Sequence, residues 1–305
     1  MSPSIEKNNN NNSSIARESI TEQVTINEKL NLCFPLESLT QVRSDLINYS
    51  KINDKKLDQG LLSQLMIDDN LLCRYMKRRR GHIEPSVQFI IGALEWRHSL
   101  GLDKCSEETF PVELFSSGGL FILGHDNTGN TVLHIRVSHF YKIPELIGLV
   151  KQFVMFHMYK ADEMGSRSFP LTGGWVLVFD CSNASLAQGD PEMLAFINSS
   201  LKNYFPAGQK YILIINLNWV LRAIKTLAFT WYPSAVKNRI KFISIKQVTD
   251  YIPLNELPDY LGGSVNCYRS IPKNCTTLET LRSNGSITLA QSAYDKIIKI
   301  LTLVN

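Results

Sequence analysis

Two short apolar runs, Trp175–Phe179 and Tyr211–Ile215, stand on either side of a stretch that Asp190 and Pro191 open as a helix reaching about Tyr204. A strand, a helix and a second strand in that order require a crossover, and a crossover of this length joins parallel strands. Part of the sheet is therefore parallel, which places the chain in the α/β class.

The neighbouring segments extend the pattern. Leu120–Gly124 and Thr131–Val137 are apolar, β-branched runs joined by Asp126-Asn127-Thr128-Gly129, which is hairpin-turn chemistry. Pro144–Gly165 reads as a long helix and Ile240–Ile245 as a further strand, followed by Leu257-Pro258 and Gly262-Gly263. Upstream, Leu36 to Leu102 is helical in pattern. Asp68 caps a helix through Leu71, Leu72, Tyr75 and Met76 to Gly81, and Pro85 opens another through Phe89, Ile90, Leu94 and Trp96 to Gly101. The expected architecture is a helical N-terminal subdomain beside a mixed β-sheet with flanking helices. Its expected parts are a polar tail at 1–30 containing Asn8–Asn12, a helical subdomain at 31–110, a sheet domain at 111–272, and an extension at 273–305 with a short amphipathic helix.

Composition narrows the function. With 305 residues, 44% of them hydrophobic, the chain can bury a substantial core. A net charge of +4 is too mild for a dedicated nucleic-acid binder, and no aromatic-and-basic RNA motif or zinc-finger spacing accompanies it. Cys33, Cys73, Cys105, Cys181, Cys267 and Cys275 include no CxxC pair and follow no signal peptide, so they read as free thiols in a cytoplasmic, reducing setting. No window offers 18 uncharged apolar residues; Ile287–Val304 contains Asp295, Lys296 and Lys299 and reads as amphipathic.

Charge is unevenly placed. From Met193 to Thr249 there are eight Lys or Arg residues and no Asp or Glu. Within that stretch, Asn218–Trp231 on a helical wheel gathers Val220, Ala223, Ile224, Leu227, Ala228 and Trp231 on one arc and Arg222, Lys225 and Thr226 on the other, with Phe229 among the cations. One reading is a peripheral contact with an anionic membrane through Trp219, Arg222, Lys225, Phe229 and Trp231. The other is a core helix with one exposed aromatic. Lys77, Arg78, Arg79 and Arg80, with Arg74 a turn earlier, also admit two readings: attraction of anionic headgroups, or cations complementing the end of a helix at Gly81.

Chemistry is sparse. His82, His98, His125, His134, His139 and His157 show no metal-ligand spacing, so no metal is expected. Asp180-Cys181-Ser182-Asn183 is the best nominal catalytic position, at a strand end, yet no GxSxG, GxxxxGK[ST] or GxGxxG accompanies it. Neither catalysis nor a cofactor is expected. His134 and Arg136, two apart on one strand, share a face that looks either into the fold's interior or out to solvent.

The segments LLCRYMKRRRGHIEPSVQFIIGALEWRHSLGL, GHDNTGNTVLHIRV, VLVFD, KYILIINLNWVLRAIKTLAFTW and LPDYLGG resemble, in order and spacing, the CRAL-TRIO or Sec14-like proteins, over roughly Leu71–Gly263. GHDNTGNTVLHIRV, IKTLAFTWYPSAV and LPDYLGG are most similar to members that also carry a motile-sperm domain and a membrane anchor, neither expected in these residues. The resemblance implies an apolar cavity floored by the sheet, closed by a movable gate helix at Asn218–Trp231, and holding one lipid-like molecule. The expected lining is His134, Arg136, Phe153, Phe156, Val178, Ile215, Leu217 and Ile243. Two departures stand out. Members that handle phosphatidylinositol place a glutamate after a Tyr-Pro pair, whereas this chain has Phe205-Pro206-Ala207, with Arg239 or Lys241 left as the basic partner. The usual Asn-x-Pro before the gate is Asn216-Leu217-Asn218, which removes a Pro-fixed dihedral. The expected function is binding a hydrophobic or lipid ligand and transferring or presenting it at anionic membranes, with reversible membrane association. The alternative is a non-catalytic interaction domain that binds a protein such as a small GTPase.

Overall fold

The computed structural model describes residues 33–168, 173–217, 237–266, 268 and 271–303. The described residues divide into two compact units, one drawn from 33–96 and 204–207, the other from 97–203 and 208–303. The expected subdomain boundary near residue 110 thus falls earlier, within a single helix.

The first unit is helical: α1 (Leu36–Asn53), α2 (Gln59–Ile67), α3 (Asp69–Lys77) and α4 (Ile83–Ser99), the last running on past Trp96. The buried Asp58 accepts the Leu61 N–H at 2.9 Å, and Asp68 accepts the Leu71 N–H at 3.0 Å, so each carboxylate satisfies an amide that the first helical turn leaves open. Leu39, Val42, Leu46, Leu65, Leu72, Tyr75, Met76, Ile90 and Leu94 form its core. Gly81 leaves α3 at a φ of 78°, where an added Cβ would lie 2.4 Å from the Phe34 ring. Only glycine fits that exit.

The second unit holds a five-stranded sheet among the described residues: β1 (Leu120–His125), β2 (Thr131–Arg136), β3 (Trp175–Asp180), β4 (Gln209–Ile215) and β5 (Ile240–Ile243), in spatial order β1-β2-β3-β4-β5. β1 pairs antiparallel with β2, and every other pairing is parallel, giving the mixed sheet expected. The β1–β2 turn is organised by Asp126. Its Oδ1 accepts the Thr128 and Asn130 N–H groups at 2.9 and 2.8 Å, and its Oδ2 accepts Asn130 Nδ2 and the Tyr211 hydroxyl, both at 2.8 Å. The hairpin is thereby tied to β4 through Tyr211.

The unit continues through α5 (Val112–Ser116), α6 (Ile147–Ser168), α7 (Pro191–Asn203), α8 (Leu278–Ser283) and α9 (Gln291–Leu303). One sheet face, carrying Val132, Val176, Val178, Leu213 and Ile215, is covered by Val248, Ile252, Leu257 and Leu261. The described residues beyond 273 pack within this unit. Leu278, Leu289, Ile297 and Leu301 are buried in one cluster with Ile143 and Leu146, and the Leu278 N–H donates to the Glu113 carboxylate at 3.1 Å. No described helix is long and apolar enough to cross a membrane.

Candidate ligand cavity

Parallel pairing aligns Ile135, Phe179, Ile214 and Phe242 into one lane across β2 to β5. Leu177, Ile212 and Ile240 lie on the same face, because side chains two apart along a strand point the same way. Opposite this face, Ile147, Val150 and Val154 come from α6, and Met193, Leu194, Ile197, Asn198 and Leu201 from α7. Between them lies a cavity of about 170 Å³, whose lining also includes Val137, Phe140, Tyr141, Lys142 and Ile143.

The cavity surface is overwhelmingly apolar, and most of its polar lining is committed elsewhere. Lys142 Nζ pairs with Glu192 at 2.7 Å. Asp190 Oδ1 accepts the Glu192 and Met193 N–H groups at 3.0 Å each, capping α7. Gln188 Oε1 accepts Ser185 N–H and O–H at 2.8 and 2.6 Å. The thiol of Cys181, also in the lining, is pushed up to about 12 by burial and by the nearby Asp180 carboxylate, so it is a neutral wall atom. A second cavity of about 330 Å³ lies along β1, lined by Glu107, Leu120, Ile122, His157 and Lys160. It is larger, but its walls carry the Lys160–Glu107 ion pair and a mostly polar surface, so the first is the site for an apolar ligand.

Of the lining residues expected from sequence, Leu217 borders the cavity. The others lie elsewhere, and the expectation is corrected. His134, Arg136, Val178, Ile215 and Ile243 occupy the opposite parity. Val178 and Ile215 are in the core of the other face, Ile243 packs against it, and His134 stacks on Phe121 at 4.9 Å. The His134 Nε2–H donates to the Leu123 carbonyl at 3.2 Å, and burial pulls its pKa down to about 4, so the ring is neutral. The Arg136 guanidinium lies 4.0 Å from the centroid of Tyr260. Phe153 and Phe156 face Phe110, at 5.2 Å each, and Phe153 also faces Phe115 at 5.1 Å.

The basic candidates are also placed. Lys241 lies over Tyr251 at 4.6 Å on the face away from the cavity, and Arg239 Nη1 donates to the Gln209 carbonyl at 3.4 Å. In the first unit, Arg78 and Arg79 stand 5.8 and 4.1 Å from the Phe89 ring, while Lys77 and Arg80 are exposed. Arg74 Nε donates to the Ala207 carbonyl at 2.7 Å, so this cation is engaged with the backbone at the residue that follows Phe205-Pro206. Trp219, Arg222, Lys225, Phe229 and Trp231 lie outside the described residues. Asp180 Oδ1 accepts the Ser182 N–H at 2.9 Å, which makes Asp180-Cys181-Ser182-Asn183 a capped turn. Among the described residues no group of three His, Cys, Asp or Glu is placed to hold a metal.

Sequence reasoning missed the α7 wall and the Val137–Ile143 segment. The signal for the first was present, since Leu194, Ile197 and Leu201 recur at helical spacing.

Residues 115–263 match the model of the CRAL/TRIO domain. The crystal structure of Sfh5 superposes with a TM-score of 0.54 at 17% identity, covering 84% of this chain and 98% of that one. Residues 115–263 are therefore similar to CRAL/TRIO domains, and the chain shares the fold of Sfh5. Among curated relatives, it is 22% identical over 200 residues to human tyrosine-protein phosphatase non-receptor type 9, covering 64% of this chain and 33% of the phosphatase. It is 21% identical to a CRAL-TRIO domain-containing protein of Schizosaccharomyces pombe, covering 70% of this chain and 20% of that protein. It is also 21% identical to phosphatidylinositol transfer protein CSR1 of Eremothecium gossypii, covering 64% and 47%. The chain thus spans less than half the length of each of these relatives.

Proposed function

We propose that this protein binds a hydrophobic or lipid ligand in the cavity between β2–β5 and helices α6 and α7, and transfers or presents it at membranes. The observation that carries the reading is the lane Ile135–Phe179–Ile214–Phe242 facing an apolar helical wall across a cavity of about 170 Å³. Each buried methylene of a ligand chain gains about 0.8 kcal/mol there. A cavity of roughly 150 Å³ holds a benzene-sized molecule, so loading a full lipid widens the lining. The segment Asn218–Trp231 is the proposed gate, and Trp219, Arg222, Lys225, Phe229 and Trp231 its membrane-docking surface. The name of one relative, a phosphatidylinositol transfer protein, supports lipid carriage. Ala207, whose carbonyl is bonded to Arg74, supports weak selection for inositol headgroups. The proposed setting is cytoplasmic with reversible attachment to anionic membranes.

Mass spectrometry of organic extracts of the purified protein tests this reading. A stoichiometric lipid is expected. Protein that extracts clean and takes up nothing from lipid vesicles refutes it and returns the fold to an interaction role.

A further inference from the structure

The wall that α7 presents to the cavity contains one anomaly. Leu194, Ile197 and Leu201 make an apolar stripe, and Asn198 sits inside it as a lining residue. Asparagine is a poorer helix former than leucine at a mid-helix position. It is usually tolerated there when its amide bonds to the preceding turn or faces water. The side-chain amide of the partly exposed Asn198 makes no hydrogen bond among the described residues, unlike the hydroxyl of its neighbour Ser200, which donates to the Phe196 carbonyl at 2.7 Å. The charged lining groups are already occupied: Lys142 by Glu192, and Asp190 by the start of α7. Among the described residues, an uncommitted amide thus stands in an apolar wall while the lining charges are neutralised by protein partners.

Resting on the ligand-carrier reading, we propose that Asn198 is the specificity-determining residue of the cavity, and that it selects an aliphatic lipid carrying one uncharged hydroxyl or carbonyl group. An amide can donate to a carbonyl or accept from a hydroxyl. A carboxylate or phosphate entering the same space would lose its hydration with no free cation in the described lining to receive it. A pure hydrocarbon would leave the amide dehydrated and unbonded.

The test is a competition. Full-length protein is incubated with phosphatidylcholine vesicles containing equal amounts of 1-dodecanol, dodecane and dodecanoate, then re-isolated by gel filtration, and its bound lipid is quantified by gas chromatography. The wild-type protein is expected to enrich the alcohol. In Asn198→Leu the bound alcohol-to-alkane ratio falls roughly five- to tenfold, the worth of one buried neutral hydrogen bond, while alkane uptake holds or rises. Asn198→Ser, which keeps a hydroxyl, retains part of the preference and serves if the leucine variant folds poorly. An unchanged ratio in both variants overturns the inference, as does preferential uptake of dodecanoate or of phosphatidylcholine itself. Failure to take up any of the four overturns the ligand-carrier reading as well, so the two failures are distinct.

Discussion

Replacing Asp126 by asparagine is the sharpest test of how the sheet is held together. The carboxylate is buried, and burial alone would raise its pKa. The hydrogen bonds from Asn130, Tyr211 and Thr128 outweigh that effect and hold it below the ordinary 3.8. In Asp126→Asn the remaining carbonyl oxygen can still accept from the turn amides. The new NH2 group cannot accept from Asn130 Nδ2, and the Tyr211 hydroxyl, which can turn to accept from it, keeps only a neutral bond; both stand 2.8 Å from Oδ2 in the native protein. Two charge-assisted bonds at about 1.5–3 kcal/mol each are lost, so a destabilisation of about 3 kcal/mol is expected near neutral pH. Because the folded carboxyl is the stronger acid, its stabilising contribution is complete above the unfolded pKa and is lost as pH falls through the folded value. Urea unfolding of both proteins at pH 6 and at pH 3 measures this, and the gap between them should narrow at the lower pH. Tyr211→Phe completes a double-mutant cycle, in which a coupling of at least 0.5 kcal/mol is expected for a direct contact. A gap independent of pH, together with zero coupling, would refute the proposed network.

Three further outcomes are expected. Leu177→Trp fills the cavity from the sheet side, costs about 1–3 kcal/mol of stability by overpacking, and reduces extractable lipid to near zero; a normal lipid load in a folded variant would place the ligand elsewhere. Phe229→Ala should weaken vesicle flotation by about 1.5–3 kcal/mol if the ring inserts fully, and Arg222→Glu with Lys225→Glu should remove the preference for anionic vesicles and its salt sensitivity; unchanged flotation would move the docking surface to Lys77–Arg80. In competitive loading, phosphatidylinositol should gain no advantage over phosphatidylcholine, and a strong advantage would show that a group other than Ala207 grips the inositol.

The strands were legible because β-branched runs and turn residues bound them closely; Trp175–Phe179 and Tyr211–Ile215 each fall within one or two residues of β3 and β4. Which side of each strand meets the cavity was not. Val176, Leu177 and Val178 are all buried, as in any parallel sheet covered on both faces, so alternation of polar and apolar residues is absent where parity had to be read. His134 and Arg136, the polar pair that invited an inward assignment, are accommodated among aromatic rings on the other face. The unit boundary was hidden for a different reason. α4 is one uninterrupted helix through Trp96, and nothing local in a continuous helix marks where its packing partners change.

The α8–α9 segment has a practical consequence for anyone dividing this chain. The family match stops at Gly263, and a fragment cut there would look complete by homology. It would nevertheless strip Leu278, Leu289, Ile297 and Leu301 from Ile143 and Leu146. Ile143 also borders the cavity, as does Val150, which packs against the same cluster. Such a fragment would present a bare greasy patch on the outside of the pocket's own wall. Its poor solubility or lost uptake would then report a missing buttress rather than a faulty binding site, so expression boundaries belong beyond Leu303.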